Sequence, residues 1–201
     1  MSINLADHGY NDVPAFSPGE FTKLPAGGYV CRIINAELAN SKAGNLMLVL
    51  FIDIAEGDFL GYFKAASDKA RNFDINKKWD NSGVYRQLIF DSQGRVSPFF
   101  KGLISSIEQS NHNFRININD FDPASLRGLL CGFVFAAEEY PKRDDSIAER
   151  VVIKFPKFAE DIRNGNFKIP DTKKLEKTTS TTPATNDIFG GEPVNAYDVP
   201  F

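Results

Sequence analysis

The segment from Tyr62 to Arg86 combines aromatic rings with cations at close spacing. Its rings are Tyr62, Phe63, Phe73, Trp79 and Tyr85. Six basic side chains stand against three acidic ones, a local charge of +3. Unpaired nucleic acid needs both types, because cations neutralise phosphates and flat rings stack on bases for about 1–3 kcal/mol each. The segment therefore predicts a surface for single-stranded nucleic acid.

The predicted contact residues are the basic and aromatic side chains that pair ring with cation, together with one arginine of an earlier strand. They are Arg32, Tyr62, Lys64, Arg71, Lys77, Lys78, Trp79, Tyr85 and Arg86. Trp79 is the strongest candidate, because its polar and charged neighbours make a poor setting for a core residue. The alternative is that the rings are core and the lysines are ordinary solvated surface. A second basic group, from Lys142 to Lys154, either extends the same surface or is unrelated to it.

The sequence gives little support for a catalytic function. There is no GxSxG, HExxH or Walker loop. The two histidines, His8 and His112, have no Cys, His or carboxylate at the spacing that metal ligands need. We therefore expect no catalytic residue, no metal and no cofactor.

Composition indicates one domain with a tail. The chain has 201 residues, 42% of them hydrophobic, including 18 Phe, which is ample for one core. Its net charge is −3, and the only charged side chains after Lys177 are Asp187, Glu192 and Asp198. The remainder is balanced, which excludes a globally basic nucleic-acid binder but not a locally basic groove.

Cysteine usage and apolar runs predict a cytoplasmic protein. Cys31 and Cys131 lie in apolar runs without a CxxC motif, so we expect two buried free thiols. The first residues show no secretion signal. The longest apolar run, Leu46 to Ile52, is too short to span a bilayer, so no membrane partner is expected.

Alternating and helical patterns define the elements. Predicted strands are Tyr29–Leu38, Leu46–Ile54, Phe59–Lys64, Val84–Phe90, Leu129–Tyr140 and Glu149–Phe155. Ser97-Pro98 predicts the start of the main helix, which ends near Asn111. A shorter helical turn is expected from Pro123 to Arg127, and another after Phe158. The stretch 65–83 is predicted to be a long irregular insertion.

The order of two long strands, a third strand, a helix and two more strands predicts a mainly β fold, an OB-like five-stranded antiparallel barrel with one main helix and a disordered C-terminal tail. We assign 1–25 to an N-terminal arm, 26–170 to the OB-like domain, 171–187 to a flexible linker and 188–201 to a C-terminal tip. The strand Leu46–Ile54 is apolar on both faces. We expect a helix, the arm or another subunit to cover its outer face, so a homo-oligomer is possible.

The tip ends in Asp198, Val199, Pro200 and Phe201, which place an apolar ring beside a terminal carboxylate. A partner with an apolar pocket and a cationic rim would capture such an end. The sequence resembles the C-terminal tip of bacterial and phage single-stranded DNA-binding proteins, although its acids are sparser. That resemblance implies docking to replication or recombination proteins.

A looser resemblance covers about residues 20–160. The runs 83–87, 98–104 and 107–111, and later 126–128, 132–135 and 138–140, look like a family of small phage proteins encoded among replication and recombination genes. This implies a phage single-stranded DNA-binding protein acting in the host cytoplasm. The rivals are an adaptor with an OB-like barrel that binds protein and no DNA, and an enzyme on a small barrel, for which clustered carboxylates or histidines are missing.

Overall fold

The computed structural model describes residues 4–8, 11, 22–72 and 74–175. Its strands are β1 (Gly27–Asn40), β2 (Leu46–Ile54), β3 (Val84–Leu88), β4 (Leu130–Pro141) and β5 (Ile147–Lys157). Its helices are α1 (Tyr62–Arg71), α2 (Pro98–Ser110) and α3 (Ala159–Arg163). Short 3-10 turns occupy Leu5–His8, Asn81–Gly83 and Pro123–Leu126. The prediction of a mainly β fold is confirmed.

The strands form one antiparallel sheet in the order β3-β2-β1-β4-β5. β1 and β2 pair as the predicted hairpin, with a register shift between Ile33 and Asn35. β3 and β5 lie at the two ends of this order, and no ladder joins them within the described residues. The sheet is therefore open, and the closure that a barrel requires is not seen.

The larger apolar cluster lies on the inner face of the sheet. There, alternate side chains of β1, β2 and β4 pack against Phe63 of α1, Leu103 and Ile107 of α2, and Leu126. α2 begins as predicted, with the Ser97 hydroxyl accepting from the Phe99 N–H at 3.2 Å. Its apolar residues recur at helical spacing and face the sheet.

A smaller cluster covers part of the outer face. Val30 of β1 and Val134 of β4 pack against Ala159 and Ile162 of α3. Gly132 allows this approach, because a Cβ there would lie 2.5 Å from Ile162 Cγ1. The chain then runs along the free part of β4, where the Glu139 N–H donates to the Lys173 carbonyl at 2.9 Å. Residues 171–175, assigned to the linker by sequence, thus lie against the sheet.

The predicted strand Phe59–Lys64 is wrong, and so is much of the predicted irregular insertion. α1 begins at Tyr62, after Gly61 turns the chain with a φ of 74°. Three alanines within α1 favour helix, and the Lys64 and Asp68 side chains form an ion pair one turn apart. The buried Asp53 carboxylate accepts from the Phe63 N–H at 2.9 Å and fixes the start of the helix.

Several sequence predictions fall outside the described residues. These are most of the N-terminal arm, Phe73, the linker beyond 175 and the tip, including Asp198, Val199, Pro200 and Phe201. Among the helices that are described, none is long and apolar enough to cross a membrane.

The predicted free thiols are confirmed. Cys31 and Cys131 are fully buried, and they are directly opposite each other in the β1–β4 ladder. Burial raises the pKa of both thiols, and the proximity of Cys131 raises that of Cys31 further. The reactive thiolate is therefore scarce at neutral pH.

We expect neither cysteine to react with an aromatic disulfide reagent at pH 8 while the protein is folded. Both should react at once in 8 M urea, about two thiols per chain, because unfolding restores access and the ordinary thiol pKa. Rapid labelling of the folded protein would contradict the buried pair. Absorbance of the released thiol is the measurement, and a short peptide with one cysteine gives the reference rate.

Candidate functional site

Three of the nine predicted contact residues line one cleft at the edge of the sheet, and two more border it. The cleft has a volume of about 530 Å³ and lies along the loop from Asp74 to Asn81, where Lys77, Lys78 and Trp79 line it. Both lysine side chains are exposed. Arg86 of β3 joins this cleft to the sheet, because its Nη2 donates to Asn81 Oδ1 at 2.9 Å.

Trp79 stands in this cleft with its ring partly buried. The ring packs against the larger apolar cluster, and a Cβ on Gly83 would lie 2.9 Å from its Nε1 and 2.7 Å from Phe63 Cγ. Gly83 thus permits the ring to approach the core. The indole Nε1 is buried and finds no hydrogen-bond partner among the described residues. Trp79 is therefore partly a core residue, which the sequence setting did not indicate.

The loop that carries Trp79 is held mainly by local hydrogen bonds. The Asp80 N–H donates to the Ser67 hydroxyl at 3.3 Å, and the Asp80 carboxylate accepts from the Ser82 N–H at 2.8 Å. The Lys77 N–H donates to the Asp74 carbonyl at 2.9 Å. The turn leaves both lysine side chains exposed beside the cleft.

Lys64 and Arg71 lie on α1 and share one carboxylate. Lys64 is paired with Asp68, and the Arg71 guanidinium lies 3.7 Å from the same side chain. Arg71 Nε also donates to the Lys77 carbonyl at 3.5 Å, so it borders the cleft. These two cations are partly neutralised, whereas Lys77 and Lys78 form no ion pair with any residue that the structure describes.

Tyr62 and Tyr85, which the sequence assigned as stacking rings, are engaged in packing. Tyr62 accepts a hydrogen bond from the Leu24 N–H at 3.2 Å and contacts Phe63 edge-to-face at 5.2 Å. Tyr85 points to the inner face, with its ring 5.4 Å from that of Phe133. Burial raises the pKa of Tyr62, and it raises that of Tyr85 to about 12. Tyr85 therefore packs partly buried on the inner face, which does not favour its predicted role as a stacking ring.

This placement gives a direct expectation for Tyr85. The substitution Tyr85→Phe removes only a hydroxyl that donates to Gln87 Oε1 at 3.2 Å. We expect affinity for any nucleic acid to stay within about twofold, and the free energy of unfolding to fall by roughly 1 kcal/mol. Fluorescence anisotropy and urea unfolding are the measurements. A tenfold loss of affinity with stability intact would instead restore Tyr85 to the binding surface.

Arg32 and Arg86 share the outer face of the sheet, opposite the larger cluster. Arg32 pairs in register with Asp53, and its Nη1 donates to the Gly128 carbonyl at 2.9 Å. Arg86 pairs with Val49. Between them on β2 lies Phe51, a half-buried ring that the sequence analysis did not select. The sequence feature that could have pointed to Phe51 was the apolar character of β2 on both faces.

The second basic group is largely neutralised. Arg150 and Lys154 of β5 both donate to the Glu138 carboxylate, at 2.9 Å. Burial alone would raise the pKa of Glu138, but these two hydrogen bonds lower it. Lys142 and Arg143 are exposed in the turn between β4 and β5. Of this group, only those two cations are without an ion pair among the described residues.

The described residues contain no group of three or more side chains able to hold a metal ion. No protein-family model matches the chain. A search of curated proteins also finds no match. The functional proposal therefore rests on the geometry of the site.

Proposed function

We propose that the protein binds single-stranded DNA without catalysis, through the cleft at Trp79 and the adjoining outer face of the sheet. The observation that carries this proposal is the convergence of two exposed lysines, a partly exposed indole ring and Arg86 on one continuous surface. Exposed cations meet phosphates, and the ring offers a partner to an unpaired base. Duplex bases are already stacked, so the surface favours the single strand.

We further propose that the sheet is an OB-like barrel that is open between β3 and β5. Joining those two edges would close the order β3-β2-β1-β4-β5 into five strands. α2 lies between β3 and β4 in the chain and contacts β3, β4 and β5, so it spans the opening. In OB-folds the face of the second and third strands binds oligonucleotides. Phe51 and Arg86 lie on the corresponding strands here.

The proposal predicts the physical behaviour of the complex. Binding should tolerate changes of sequence, because stacking and phosphate contacts use features common to all nucleotides. Binding should also weaken with salt. For each tenfold increase in salt concentration, the logarithm of the affinity should fall by about 0.7 per phosphate contact.

Trp79 provides the test, because it is the only tryptophan of the chain. Addition of oligo-dT to the full-length protein should quench its emission at stoichiometric DNA. Trp79→Phe should keep the fold but weaken binding by about fivefold or more, since a smaller ring stacks less well. The matched control is Phe114→Leu, a partly buried ring in the loop after α2. Tight binding without quenching, unaffected by Trp79→Phe, would move the interface away from the cleft.

A second candidate function is that of a protein-binding adaptor. The outer side of β2 carries the apolar side chains of Val49 and Phe51, and Phe51 is only partly buried. A protein partner or a second copy would use that surface without cations. This function predicts no affinity for oligo-dT and a complex that survives 1 M salt, which sedimentation in both conditions distinguishes.

For the tip, we propose that Asp198 to Phe201 recruit a replication or recombination protein. The acids of this region would also compete with DNA for Lys77 and Lys78. Deletion of residues 187–201 should therefore raise affinity for oligo-dT by roughly twofold or more at low salt, and less at high salt. Anisotropy titrations of both proteins test this. Equal affinities at low salt would rule out the competition.

A further inference from the structure

Two phenylalanine rings near the end of β3 lie open to solvent. Among the phenylalanine, tyrosine and tryptophan rings that the structure describes, only Phe90 and Phe99 are exposed, Phe90 to 44% and Phe99 to 72%. Val96 lies between them in the chain, pairs with Phe90 in an antiparallel bridge and is 55% exposed. A single exposed apolar side chain is common, but three so close in the chain form a patch that calls for an explanation.

This patch continues the surface proposed for DNA. Alternate residues of an extended strand share a face, so Phe90 lies on the side of Arg86, while Ile89 belongs to the larger apolar cluster on the other side. From Arg86 to Phe90 the chain advances by four residues, about 13 Å. The Trp79 cleft adjoins the start of β3, and the patch adjoins its end. A single strand that runs along β3 from the cleft therefore reaches the exposed rings.

Two arginines accompany the patch. Arg86 precedes it on the same face, and Arg95 is exposed within it. Arg95 Nη2 lies 3.0 Å from Asp91 Oδ2, but the Asp91 carboxylate also accepts from the Gln93 and Arg95 N–H groups, both at 2.9 Å. The turn thus still satisfies Asp91 when the Arg95 guanidinium moves to a phosphate. Because an exposed ion pair contributes little to stability, little is lost by that exchange.

We propose that Phe90 and Phe99 form a second stacking platform, which takes unpaired bases of the same strand that binds at Trp79. Phosphates beside these bases would meet Arg86 and Arg95. The platform rests on the proposed binding of single-stranded DNA and adds to it the path of the strand, lengthwise along β3. Stacking uses the face of any base, so the platform has no sequence preference.

Alanine substitution of both rings tests the platform. Phe90→Ala combined with Phe99→Ala in the full-length protein should weaken binding of oligo-dT of about 16 nucleotides by roughly 25-fold or more, since each lost stacking contact costs at least about fivefold. The matched control, Leu60→Ala with Ile118→Ala, removes two exposed apolar side chains elsewhere. It should bind within about twofold of the wild type, because it leaves every stacking ring in place. Equal losses of affinity in the two double variants, measured by anisotropy, would overturn the platform.

An abasic oligomer of the same length separates stacking from other effects, because it keeps the phosphates and lacks the bases. The Phe90 and Phe99 double variant should bind it within about twofold of the wild type. An equal loss of affinity for oligo-dT and for the abasic oligomer would mean that the substitutions act on the fold, and the platform would be wrong. If the double variant unfolds at lower urea concentration, Phe99→Ala alone gives the same comparison, with an expected loss of about fivefold for oligo-dT only.

The remaining outcomes distinguish the platform from the proposed function. If the wild type binds no oligo-dT, the proposed function itself has failed. Binding that quenches Trp79 and is unchanged in the double variant removes only the platform. If the double variant changes the sedimentation coefficient of the free protein and leaves DNA affinity intact, the patch is an interface between copies, and the platform is wrong.

Discussion

Simultaneous replacement of Lys77, Lys78 and Arg86 by glutamine is expected to weaken binding of oligo-dT by about 100-fold at 0.1 M salt. All three side chains are exposed, and they border one surface. Each phosphate contact contributes about 0.7 to the logarithmic salt slope for a single strand, so the slope should fall by about 2. Anisotropy titrations at four salt concentrations give both quantities.

The control removes the same charge from other elements. Lys101 of α2, Arg115 of the following loop and Lys168 after α3 are exposed, and none of them lines the cleft. Their triple glutamine variant should bind within about threefold of the wild type, since only long-range attraction is lost. If both triple variants lose affinity equally, binding follows net charge and the cleft has no special role.

The largest effect on stability is expected from Phe133→Ala. Phe133 lies in the first half of β4, is fully buried and packs against Tyr85 of β3, with the ring centroids 5.4 Å apart. Removal of such a ring leaves a cavity and costs about 3–5 kcal/mol in the free energy of unfolding. Because this contact ties β3 to β4, the edge of the sheet that carries Arg86 should loosen. Urea unfolding followed by circular dichroism gives the free energy.

Phe99 supplies the matched comparison, because it is a ring of the same size on the surface. It is 72% exposed at the start of α2. Phe99→Ala should change the free energy of unfolding by no more than about 0.5 kcal/mol. If the two alanine variants lost similar amounts of free energy of unfolding, the packing described for the inner face of the sheet would be contradicted.

The regular elements were predictable where local chemistry and periodicity agree. β2 was predicted over its whole length, Leu46–Ile54, because a continuous apolar run lies between two turns. Ser97-Pro98 located the start of α2 to the residue. In both cases neighbouring residues alone carry the information. α1 was missed because Phe59, Gly61 and Phe63 alternate as in a strand, while the helical signal lies further on, in the alanines.

The candidate site was less predictable, because it depends on register. Sequence spacing placed Tyr85 beside Arg86, but adjacent residues of a strand face opposite ways, so one is in the core and the other at the surface. The pairing of Phe51 with Asn35 depends on an irregularity in β1 that the sequence does not mark. The residues around Trp79 are polar and largely exposed, but Gly83 admits the Trp79 ring to the core.

The most direct test of single-strand binding is a titration of the full-length protein with labelled oligo-dT and with duplex of equal length. Anisotropy is followed at 50 mM and at 500 mM salt. We expect tight binding of the single strand at low salt, weak binding of the duplex, and a steep loss of affinity at high salt. Absence of single-strand binding at 50 mM salt would contradict the proposed function.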